Sequence, residues 1–72
     1  MEDKRLVVAK LEELLRVTRQ FNDLTLMKYE VAENGMEYVL VYFNNEEKPS
    51  YRVNVTADSG VALIRDVLRR IG

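Results

Sequence analysis

Met36-Glu37-Tyr38-Val39-Leu40-Val41-Tyr42-Phe43 decides the fold of this chain. Side chains on a strand alternate between faces, so Val39, Val41 and Phe43 point one way and Tyr38, Leu40 and Tyr42 the other. Both sets are apolar or aromatic, the pattern of a strand covered on both sides. The chain has 72 residues, too few to build a covering layer on each face of a sheet, so something outside it is expected to cover one face.

Working outward, Glu33-Asn34-Gly35 precedes this strand and reads as a hairpin turn, with Gly35 in the left-handed region. Strand one then runs from about Leu24 to Ala32. The polar stretch Asn44–Pro49 fits a second hairpin loop, and Pro49 suits the start of an edge strand. Strand three covers about Ser50 to Thr56. Before the strands, Val7, Leu11, Leu14, Leu15, Thr18 and Phe21 follow helical spacing, predicting a helix from about Asp3 to Phe21. Glu2 and Asp3 at its start and Arg16 and Arg19 near its end suit the helix dipole, and Glu12 and Arg16 form a favourable i, i+4 pair. After the strands, Val61, Ile64, Val67, Leu68 and Ile71 predict a second helix capped by Asp58 or Thr56.

The order α-β-β-β-α implies one α+β domain over residues 1–72. It is a two-layer sandwich: a three-stranded antiparallel meander with both helices on one face. Short connections make the helices parallel, with their C-termini at the end of the Asn44–Pro49 loop. A type I turn with a bulge at Gly35 suits Glu-Asn-Gly and sets Tyr29 beside Val39 and Met27 beside Val41. A two-residue Asn34-Gly35 turn would invert the faces. With the bulged turn, the open face carries Leu26, Lys28, Glu30, Tyr38, Leu40, Tyr42, Arg52 and Asn54.

Composition narrows the chemistry. Hydrophobic residues are 47% and charged residues 32%, which is too apolar for disorder. One core of this size rarely contributes more than ~3–5 kcal/mol, and the usual supplements are disulfides, metals or oligomerisation. Cysteine and histidine are both absent, which leaves oligomerisation or very regular packing. The net charge of −1 gives no overall drive towards nucleic acid or anionic membrane. No apolar run approaches the ~20 residues of a membrane span, and Met-Glu-Asp-Lys-Arg does not open a signal peptide. A cytoplasmic protein is the expectation.

Three places could carry function. The first is the open face, with Tyr38, Leu40 and Tyr42 bordered by Lys28 and Arg52. It would serve a homodimer or another protein partner. As an alternative, it would serve single-stranded nucleic acid, the tyrosines stacking on bases and the cations meeting phosphates. The bland reading is a solvated face whose Lys and Arg stems cover the aromatics. The second is a basic end formed by Arg16, Arg19, Arg65, Arg69 and Arg70, which would take an anion or simply compensate two helix C-termini. The third is Asp58-Ser59-Gly60, where an anion site is outweighed by ordinary capping. A dimer through the edge of strand three, Tyr51–Val55, is a further route. With no histidine or cysteine, and with Glu12-Glu13 and Glu46-Glu47 solvated, no catalytic residue, cofactor, metal or small-molecule substrate is expected, and the chain is not read as an enzyme.

The element order resembles that of double-stranded RNA-binding domains, which place parallel helices on one face of a three-stranded sheet. The resemblance covers most of the chain but is one of topology. That family carries a Lys-rich motif at the start of its second helix, where this chain has Asp58-Ser59-Gly60-Val61-Ala62-Leu63-Ile64. It also has a Gly-Pro-x-His type of signature in the first hairpin, where this chain has Ala32-Glu33-Asn34-Gly35. These departures fall on the RNA-contacting positions, so no RNA binding is carried over. The Val53–Arg70 segment also resembles small bacterial and prophage proteins.

Overall fold

The computed structural model describes residues 3–72; Glu2, expected at the start of the first helix, lies outside them. Five elements follow in the order α1 (Lys4–Arg16), β1 (Leu24–Val31), β2 (Glu37–Phe43), β3 (Tyr51–Asn54) and α2 (Gly60–Ile71). The strands form one antiparallel sheet in the order β1-β2-β3. Val8, Leu11 and Leu15 of α1 and Leu63 and Val67 of α2 share a core with Met27, Val39, Val41, Val53 and Val55. All five of those sheet residues lie on one face, so both helices cover that face, as expected. The shortest dimension, 19 Å, is the thickness of one sheet and one helix layer.

The first hairpin has the bulged turn. The Ala32 amide donates to the Met36 carbonyl (2.8 Å), the Gly35 amide to the Ala32 carbonyl (2.9 Å), and Gly35 has φ +86°. Tyr29 therefore pairs with Val39 and Met27 with Val41. The register then shifts between Leu24 and Leu26, so that Leu24 faces Phe43. This bulge at Thr25 turns Leu24 into the core, where plain alternation would have left it on the open face. The second hairpin turns through Asn44 and Asn45, both at positive φ (56° and 57°), with the Glu46 amide bonded to the Phe43 carbonyl. Asn tolerates this region better than most residues.

The helices differ from expectation in three respects. α1 stops at Arg16 rather than near Phe21. The Thr18 amide and hydroxyl both donate to the Leu15 carbonyl (3.0 and 2.7 Å), closing a tight turn that ends the helix. Phe21 is still buried, reached through that turn.

Second, the buried stripes are rotated. On α1, Val8 is buried in place of Leu14, which is 63% exposed. Two polar anchors set this rotation. The Lys4 ammonium donates to the Val55 carbonyl (3.1 Å), and Glu12 accepts the Met27 amide (2.7 Å). On α2, Leu63 is fully buried and Val61 is exposed. Apolar residues there span so wide an arc that periodicity alone does not choose its centre.

Third, neither Asp58 nor Thr56 caps α2. Ser59 stands at the N-cap without a side-chain bond. The Thr56 hydroxyl instead donates to Asn54 Oδ1 (2.7 Å) and accepts the Glu37 amide (2.9 Å).

Candidate interaction surface

The cross-strand register builds the open face in three rows. Leu26 stands opposite Tyr42. Lys28 and Arg52 flank Leu40 on its two sides, and Glu30 and Asn54 flank Tyr38. The face has no helix over it, yet Leu40 is only 7% exposed. Its immediate neighbours across the strands are the long stems of Lys28 and Arg52, and stems of this kind cover apolar surface while keeping their charges in water. Tyr38 and Tyr42 are half-buried. The Arg52 guanidinium lies 3.9 Å from the centroid of the Tyr38 ring, within cation–π range. One face of that ring is thus taken, and a nucleic-acid base would have to displace Arg52 to stack there. What remains open and apolar is a corner made by Tyr42 and Leu26, the latter 43% exposed.

The five arginines of the expected basic end are all exposed, with Arg16 on the β1 side and Arg70 on the β3 side of the sheet. Arg16 pairs with Glu12 (3.7 Å), the residue anchored to the β1 backbone. Arg70 lies 5.7 Å from the Tyr51 ring of β3, at the opposite edge. Arg69 and Arg70 line a shallow groove of about 400 Å³ with Asp66, Val53 and Asn54. Arg65 lies 3.9 Å from Asp66. Arg19 sits in the turn after α1. A second notch of about 360 Å³ lies at the helix C-terminal end, between Phe21, Phe43, Tyr51 and Ile71 and rimmed by Gln20, Asp23, Asn44 and Ser50. None of the five arginines lines it. Comparison with protein families, curated proteins and solved structures finds no match to this chain. Its surface chemistry therefore has to be read from its own residues.

Two polar clusters escape the sequence reading. In the first, the Tyr29 hydroxyl donates to Glu37, and Lys4 pairs with the same carboxylate at 3.0 Å. The Tyr29 and Lys4 bonds hold the Glu37 carboxyl below its usual range, and the same contact pushes the Tyr29 phenol up. Lys4 falls one turn before Val8 on the buried stripe, and that spacing is the signal that could have revealed it. In the second cluster Asp58 faces Asp66. Asp58 Oδ2 is buried without a hydrogen-bond partner. The approach of the Asp66 carboxylate, which favours a proton on Asp58, then burial, then the like charge of Asp66 push the Asp58 carboxyl up. Neither cluster has the makings of a metal centre: among the described residues no group of three or more ligating side chains converges. Nor is any helix among them long and apolar enough to cross a membrane.

Proposed function

We propose that this chain is a small interaction module that self-associates through the open face of its sheet. The observation that carries this reading is the Leu26–Tyr42 corner, which stays exposed beside the sealed Leu40 on a face without helices. Two such faces can pack about 10 Å apart, as the sheets of a sandwich do. Lys28 and Glu30 alternate along β1, so a two-fold arrangement can set unlike charges opposite each other at the rim. The homodimer, the binding role of Lys28, Tyr38, Leu40, Tyr42 and Arg52, and a site within the cytoplasm all belong to this proposal.

Sedimentation equilibrium tests it. The wild-type chain is expected to dimerise at micromolar concentration, and Tyr42→Asp, which places a charge in the corner, to be a folded monomer at that same concentration. Leu26→Ser, a milder change at the partly exposed edge, is expected to weaken the dimer without unfolding the chain. A dimer unchanged by both substitutions would overturn the interface. Salt-dependent retention on single-stranded nucleic acid, lost with Arg52→Ala, would replace it with the base-stacking alternative.

A further inference from the structure

The most exposed apolar side chains are on the helix layer, on the other side of the molecule from the Leu26–Tyr42 corner. At 100° per residue, Leu6, Lys10 and Glu13 of α1 and Val17, its C-cap residue in the right-handed helical region, fall within an arc of about 60°, directly opposite the buried Val8, Leu11 and Leu15. Leu6 is 56% exposed and Val17 82%. Lys10 and Glu13 are also well exposed, and they touch each other within the helix at 3.5 Å. The spacing of four, three and four residues is that of a two-helix seam.

The order along this seam is self-complementary. If a second α1 lies antiparallel, Leu6 meets Val17 of the second copy and Lys10 meets its Glu13. The two-fold axis repeats both contacts, as an isologous interface requires. Apolar residues stand at both ends and opposite charges at the centre. We infer that the outer face of α1 is a second self-association surface, its occupant an antiparallel α1 of another copy of this chain. This surface does not depend on the sheet face. A helix of 13 residues is about 20 Å long and buries less than the ~800 Å² per partner of a standard interface. Its association is therefore weak, and the central charges set orientation more than affinity.

Charge reversal tests the inference with the full chain, monitored by sedimentation up to about 1 mM, where sub-standard interfaces associate. The Tyr42→Asp background removes the sheet face. In that background Lys10→Glu and Glu13→Lys are each expected to raise the dissociation constant by at least about tenfold, because like charges meet across the seam. An equimolar mixture of the two variants is expected to recover association to within about threefold. Each variant keeps its own like-charged i, i+3 pair, so recovery on mixing has to come from contacts between chains. Circular dichroism confirms that both variants remain helical. A Tyr42→Asp chain that stays monomeric throughout would overturn the helix surface while leaving the sheet face standing. A Tyr42→Asp chain that associates but ignores both reversals, or variants that fail to recover on mixing, would also overturn it. Wild-type association lost on Lys10→Glu but kept in Tyr42→Asp would instead discard the sheet face.

Discussion

Asp58 shows how one misplaced carboxylate tunes a small fold. Its pKa is raised, so the folded chain holds the proton more tightly than the unfolded chain does. This stabilising contribution is fully present below the ordinary aspartate range and is lost as pH rises through the folded value. Asp58→Asn keeps a hydrogen-bond donor towards Asp66 at every pH. It is expected to raise the melting temperature at pH 7, by an amount equivalent to about 1 kcal/mol, with the gain vanishing near pH 3. A variant less stable than wild type at pH 7 would show that the Asp66 contact does not favour the proton on Asp58. Nothing in the sequence announced this pair. Asp58 read as a cap because Asp is a common cap, and only the actual entry of the chain into α2 turns it towards Asp66. Lys4 was less hidden, since it falls one turn before Val8, but a charged residue at that spacing ordinarily marks the stripe's end.

Among the elements, the strands were far more legible than the helices. Gly35 selected the bulged turn, and that turn determined which residues of β1 and β2 share a face. The bulge at Thr25 was not legible, because Thr25 suits a strand in either register. The helix stripes were off-centre by about 60–70° at 100° per residue, because each helix carries more apolar residues than the sheet can cover. Which subset goes inside depends on contacts far away in sequence, such as Glu12 on the Met27 amide. The distinction is measurable by urea denaturation. Leu63→Ala is expected to cost about 2–5 kcal/mol, as a fully buried leucine does, whereas Leu14→Ala, although on the expected stripe, should change stability by less than about 0.5 kcal/mol. Equal losses would mean that α1 presents a different face to the sheet in solution. The Glu12 contact also blocks one outward amide of the β1 edge, while β3 is only four residues long. Short or occupied edges discourage sheet extension between molecules. This favours faces over edges as the surfaces of association.

For the molecule as a whole, the architecture was readable from element order and loop length, because short loops leave few ways to arrange five elements. The placing of Arg16 and Arg70 on opposite sides of the sheet was not, since a helix end fixes a height in the molecule but not a direction. The Lys4 clasp, which the element order does not show, governs how the molecule behaves in time. Each strand pairs with its neighbour in sequence, so the meander can form from local contacts. The Lys4 bond to Val55 joins residues 51 positions apart, tying the first element to the end of the sheet. A contact that closes so long a loop is expected to form after the folding barrier has been crossed. Lys4→Met should then leave the folding rate unchanged and speed unfolding about fivefold, which stopped-flow mixing would resolve as a shift in only one arm of the chevron. A slowed folding arm would instead place the clasp in the nucleus. On this account the Lys4 ammonium acts as a latch: it has little to do with how quickly the chain finds its shape and much to do with how long it stays there.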